Sequence, residues 1–144
     1  MTYIDTLNWI HSHKANGRRP SLERMCHLLN LLDNPQNKFP AVHVVGTNGK
    51  GSTTSFLQHI LTASGYKTGT FTSPFITRFN ERVAIDSKEI SDSDLVKTAQ
   101  AIKPIVDSND FQEKVGKVTE FELVTALMFY YLSLIHISEP TRRV

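Results

Sequence analysis

The chain has 144 residues, of which 40% are apolar and 21% charged, with a formal net charge of +2. That length holds one domain or a piece of one, and the composition is that of an ordinary folded chain. So small a charge, carried by scattered basic residues, argues against nucleic-acid or membrane partners.

Residues 2–14 fit a first helix, with Thr2 placed to cap it and Ile4, Leu7 and Ile10 on one face. The first five residues carry neither a basic nor an apolar leader, so no signal peptide is expected. Asn16-Gly17-Arg18-Arg19-Pro20 breaks the helix, and Ser21 can cap a second one whose Leu22, Met25, Cys26, Leu29 and Leu32 make an apolar stripe. Cys26, the single cysteine, is expected in that packing; with no partner for a disulfide it fits a reducing compartment.

Residues 41–45, Ala-Val-His-Val-Val, form a continuous run suited to a strand of a parallel sheet covered on both faces. His43 is expected to be a satisfied core or edge histidine. Residues 52–64 read as a helix that buries Phe56, Leu57, Ile60 and Leu61 and ends at Gly65. Residues 66–72 read as a second strand, returning through a right-handed crossover. Ser73-Pro74-Phe75 then turns at the carboxyl end of that strand, the edge where ligands collect in open α/β sheets.

Residues 83–85 precede a polar turn, Asp86-Ser87-Lys88. Ser91-Asp92-Ser93-Asp94 opens a helix burying Leu95, Ala99, Ile102 and Val106, which Pro104 is expected to strain or shorten. Residues 107–117 read as a polar loop. Thr119 and Glu122 have the Thr-x-x-Glu spacing of a capping box, with Val118 and Leu123 placed for a hydrophobic staple. The last helix is expected to bury Val124, Leu127, Met128 and Tyr131. The apolar stretch 123–137, broken by Thr125, Ser133 and His136, is short of a membrane span.

The chemistry centres on Gly46-Thr47-Asn48-Gly49-Lys50-Gly51-Ser52, between the first strand and its helix. The run departs from the usual G-x-x-x-x-G-K-[ST] pattern, because Gly51 separates Lys50 from Ser52 and Val44 stands where the first glycine should be. Its physical content survives. Glycines let successive N–H groups turn toward an anion, Lys50 supplies a mobile charge for the outer phosphates, and Ser52 or Thr53 can place a hydroxyl near a magnesium ion.

The loop resembles that of the Mur ligase superfamily. Together with Ser73-Pro74-Phe75, Arg78-Phe79-Asn80-Glu81-Arg82 and Thr119-x-Phe121-Glu122, it is similar to folylpolyglutamate synthase, including bifunctional enzymes with dihydrofolate synthase activity. The resemblance covers residues 20–131. It implies a P-loop-containing, parallel-sheet α/β ATPase domain of the Mur ligase type, truncated here. It also implies an ATP-dependent ligase that forms an acyl phosphate on a folate carboxylate, which the amine of L-glutamate then attacks.

By that resemblance Thr47, Asn48, Gly49, Lys50, Gly51 and Ser52 would bind ATP, with Lys50 the catalytic cation. Ser73, with Ser52 as a second candidate, would ligate Mg2+. Thr119, Phe121 and Glu122 match the stretch lining the pterin side of the folate site, where the substrate would be tetrahydrofolate or dihydropteroate. Thr119 and Glu122 could instead serve only as a capping box. Glu81 and Arg82 could meet substrate or form an exposed pair. The full-length form is expected to be a cytoplasmic monomer. A ligase for UDP-muramyl peptides, or a nucleotide-binding module without catalysis, are the alternative readings.

The family pattern continues with a Glu-Val-Gly-x-Gly-Gly segment and a C-terminal domain that are not in this sequence. Residues 132–142, Leu-Ser-Leu-Ile-His-Ile-Ser-Glu-Pro-Thr-Arg, read instead as the translation of a transposase adapter used in sequencing libraries. The expectation is that residues 1–131 are the N-terminal part of the ATP-binding domain and 132–144 a non-native tail. The chain alone is expected to show no ligase activity and weak or no ATP binding, its sheet lacking later strands.

Overall fold

The computed structural model describes residues 1–14, 19–46, 48–73 and 77–138. Thr47, the Pro74-Phe75 pair of the Ser-Pro-Phe motif, residues 15–18 of the first interhelical break and residues 139–144 of the tail lie outside that set.

Helices α1 (Tyr3–His11) and α2 (Leu22–Leu31) start where their hydroxyl residues predict. Thr2 Oγ1 accepts the Asp5 N–H at 3.1 Å while the Asp5 carboxylate accepts the Thr2 N–H at 2.9 Å, a closed capping box. Ser21 Oγ accepts the Arg24 N–H at 3.2 Å. Ile10, Leu28, Leu29 and Leu32 are buried, but Ile4, Leu22 and Cys26 are exposed. The stripe of α2 runs through Met25, Leu28, Leu29 and Leu32; Cys26, one residue round from Met25, points off that face and, against expectation, is not part of the core.

Helix α4 (Asp92–Val106) buries Leu95, Ala99, Ile102 and Val106 as its spacing predicts. Pro104 does not shorten it. The helix runs on to Val106, and the Asp107 N–H still reaches the Lys103 carbonyl at 2.9 Å. The supposed loop 107–117 holds a short helix, α5 (Asn109–Val115), capped by Ser108 and anchored by buried Phe111. Helix α6 (Glu120–Ser138) packs against α1, α2, α4 and the 3₁₀ turn Pro35–Lys38. Its buried Val124, Leu127 and Met128, with Val118 and Leu123 at its start, complete the core, while Tyr131 is half-buried. No single helix among the described residues is long and apolar enough to cross a membrane.

Strands β1 (Gly69–Phe71), β2 (Val83–Ile85) and β3 (Lys88–Glu89) form an antiparallel sheet in the order β1-β2-β3. Asp86 and Ser87, both at positive φ, make the two-residue turn between β2 and β3. The α3 helix (Lys50–Ala63) precedes β1 and closes with a Schellman pair: Gly65 N–H to Thr62 O and Tyr66 N–H to Leu61 O, each 3.0 Å.

The expected parallel βαβ unit is not closed within the described residues. Residues 41–45 form no ladder, His43 is exposed, and Val42 is 75% exposed. A parallel strand takes its hydrogen bonds and its cover from neighbours, and no described strand lies beside this one. The same lack of cover leaves Phe56 69% and Ile60 61% exposed, with Leu57 exposed and Leu61 half-buried; the residue α3 buries is Gln58. The described elements are a mixture of helices and strands, as an α/β class requires.

Candidate functional site

The glycine loop ends on Gly49, which stands at φ 75° as the N-terminal cap of α3. A side chain there would be strained, and glycine has none to cap the helix with. The Thr53 N–H bonds the Gly49 carbonyl at 2.9 Å, so regular helix bonding begins one turn later. The N–H groups of Lys50, Gly51 and Ser52 thus lie in the open first turn, at the positive end of a 14-residue helix. Among the described residues, and apart from its own helix backbone, nothing lies within 4 Å of where a Cβ on Gly51 would sit. Asn48, Lys50 and Ser52 are exposed. First-turn amides, the positive end of a helix dipole and an exposed ammonium are together an arrangement that can hold an oxyanion.

Ser73 follows β1 and is exposed. Among the described residues no hydrogen bond or ion pair joins it to the loop, nor the loop to residues 119–122. Among those residues, too, no cluster of three or more His, Cys, Asp or Glu side chains could hold a metal by itself.

Residues 119–122 divide by role. Glu122 is 2% exposed, and both its oxygens are engaged by the protein. Oε1 accepts the Thr119 N–H and Arg24 Nη1, each at 2.8 Å, and Oε2 accepts the Ser21 N–H at 2.9 Å. The Glu122 N–H returns to Thr119 Oγ1 at 3.3 Å, so the capping box is real and fully used. Burial by itself would raise the Glu122 pKa; the two backbone donors and Arg24 outweigh it, and the carboxyl sits below its usual range. Phe121, between these two, is exposed and meets Phe71 edge-on with ring centres 6.4 Å apart.

Arg82 is not half of an exposed pair. It is 9% exposed, its guanidinium carbon 5.6 Å from the ring centres of both Phe71 and Phe79. Its Nε is buried without a hydrogen-bond partner among the described residues. Burial pushes its pKa down, partly opposed by the charge of Glu120. Glu81 turns the other way and accepts the N–H groups of Thr77 and Arg78 at 2.9 and 3.1 Å. The sequence carried no signal for the inward turn of Arg82, which rests on Phe71 and Phe79 coming together, nor for the His11 Nδ1–Glu120 Oε1 contact of 2.6 Å, which rests on α1 and α6 meeting. Neither the shallow depression beside Met1, Gln100 and Lys103 nor the small apolar cavity between Leu95, Leu127 and Tyr131 includes a residue of the loop, Ser73 or 119–122.

No protein-family model matches the chain. It is 43% identical over 134 residues to a dihydrofolate synthase/folylpolyglutamate synthase of Bacillus subtilis, covering 93% of this chain and 31% of that protein. A solved complex of folylpolyglutamate synthase with AMPPCP and folate superposes with a TM-score of 0.86 at 40% identity, covering 94% of this chain and 33% of that one. A Mycobacterium tuberculosis folylpolyglutamate synthase complexed with ADP gives 0.84 at 32% identity, over 92% of this chain and 30% of the other. The chain therefore spans about a third of the length of the relatives it matches.

Proposed function

We propose, for a chain that belongs to the folylpolyglutamate synthase/dihydrofolate synthase family, that its glycine loop holds the phosphates of ATP in a ligase joining L-glutamate to a folate. The observation that carries this is the open first turn of α3 at Gly49, Lys50 and Gly51, in a fold whose relatives have been solved with AMPPCP and with ADP.

In this reading the loop amides and Lys50 bear on the β- and γ-phosphates, with Thr47 and Asn48 completing the loop. Lys50 stabilises charge on the γ-phosphoryl group as a folate carboxylate oxygen attacks it and ADP leaves. The glutamate amine then attacks the activated carbonyl, phosphate departs with that carboxylate oxygen, and the amide forms. The exposed hydroxyls of Ser52 and Ser73 would hold a Mg2+ ion. Such an ion neutralises phosphate charge when bound.

Tetrahydrofolate or dihydropteroate would lie against exposed Phe121, near the guanidinium of Arg82. Thr119 and Glu122 hold the first turn of α6 in place beneath it. We further propose that residues 1–131 are the N-terminal part of the ATP-binding domain and that 132–144 are foreign to it. The helix does not mark that junction, since Leu132 and Ser133 are buried in continuation of α6. Resequencing the source locus across the Tyr131 codon tests it, and a native frame through Arg142 would overturn it.

The functional reading is tested with the full reading frame of the source gene, ATP and L-glutamate, against a panel of tetrahydrofolate, dihydropteroate and a UDP-muramyl peptide. ADP release with a folate substrate supports it; release only with the muramyl peptide contradicts it.

A further inference from the structure

The residue that α3 buries is polar. Gln58, its buried residue, lies on the tip of the β2–β3 turn. Ser87 Oγ donates to Gln58 Oε1 at 2.8 Å, Gln58 Nε2 donates to Thr62 Oγ1 at 3.0 Å, and Thr62 Oγ1 donates to Asp86 Oδ1 at 3.2 Å. The same oxygen accepts the Thr68 N–H at 2.8 Å, and the Asp86 N–H returns to the Thr68 carbonyl at 2.8 Å. A carboxylate can only accept, so the Thr62 hydroxyl must give its proton to Asp86 and accept from Gln58. That fixes which end of the Gln58 amide faces Ser87. The side-chain donors of Ser87, Gln58 and Thr62 point one way, toward the carboxylate, and each bond polarises the next.

We infer that Asp86 is a positioning residue for the glycine loop. It fixes α3 against the hairpin, and α3 carries Lys50, Gly51 and Ser52 in its first turn. Asp86 also follows the strand paired with β1, in register Gly69↔Ile85 to Phe71↔Val83, and β1 leads to Ser73. One carboxylate thus ties together the two segments that bear the proposed phosphate and magnesium residues. The link to phosphate rests on the function proposed above; the link from Asp86 to the loop does not.

The test is amide exchange and 1H–15N shifts on this chain, with Asp86→Asn and Thr62→Val. Asn keeps an acceptor and tolerates the left-handed backbone of residue 86, whereas Val removes only the hydroxyl and leaves the hairpin intact. Both variants are expected to raise exchange across residues 54–64 about tenfold and to shift the resonances of Asn48, Lys50, Gly51 and Ser52, while α4 and α6 stay as they were. Unchanged α3 exchange and loop shifts, or a rise shared by α4 and α6, would overturn the inference. Neither readout uses nucleotide, so a failure to bind MgATP would count against the proposed function and not against this role of Asp86.

Discussion

Arg24 Nη1 lies 2.8 Å from Glu122 Oε1, and this pair joins the start of α2 to the start of α6. Arg24 also donates from Nε to the Val115 carbonyl at 3.0 Å, holding the link between α5 and α6. A buried pair that bridges three segments gives little net stability over an apolar substitute, but losing one partner strands the other.

Removing the carboxylate should therefore be costly. Glu122→Ala is expected to destabilise the chain by about 3 kcal/mol, read from the urea midpoint at neutral pH. The pH dependence follows from the sign of the shift. The Glu122 pKa is lowered in the folded state, so its contribution is complete above the ordinary carboxylate range and is lost as pH falls through the folded value. Denaturant midpoints of wild type and Glu122→Ala should converge on acidification; parallel curves would mean that Glu122 does not titrate in this way.

Gly69 has a different constraint. A Cβ there would clash with Leu132 Cδ2 and fall 3.3 Å from Ile85 Cδ1. Gly69→Ala should cost about 1–3 kcal/mol through overpacking, and Leu132→Ala in the same chain should recover part of it. Additive losses in that double-mutant cycle would show that the two positions do not touch.

The uncovered face of α3 makes an opposite forecast. Phe56→Glu and Ile60→Glu should change thermal stability by no more than about 0.5 kcal/mol, while lowering self-association in light scattering. A loss of several kcal/mol would mean that these side chains are buried in the folded chain.

Gly51 separates folding from binding. Among the described residues its Cβ would meet nothing beyond its own helix backbone, and it lies inside a helix, so Gly51→Ala should add about 0.5 kcal/mol of stability. In the full reading frame the same change should weaken MgATP, because the methyl group occupies the approach to the first-turn amides. Unaltered MgATP affinity would remove Gly51 from the proposed site.

What the sequence made legible was local. Hydroxyl caps at Thr2, Ser21, Ser91 and Thr119, the spacing of Leu95, Ala99, Ile102 and Val106, and the Gly65 helix end depend on residues within a turn or two of one another. Residues 41–45 and the apolar side of α3 went wrong because a strand needs partners, and the periodicity of a segment does not say whether those partners are present. The α5 helix was hidden because Phe111 is its one buried residue among polar neighbours. At the site, the loop could be read from glycines and a lysine in a row. The inward turn of Arg82 and the engagement of Glu122 by Arg24, 98 positions away, could not.

If this loop serves acyl-phosphate ligation on a folate, oxygen must pass from the folate carboxylate to phosphate, and isotope transfer reads that step. The full reading frame would be given ATP, L-glutamate and tetrahydrofolate or dihydropteroate carrying 18O in the carboxylate to be ligated. One 18O is expected in the released phosphate for each glutamyl bond formed, and neither product from the 144-residue chain alone. Glutamylated product with unlabelled phosphate, or turnover by this chain alone, would contradict it.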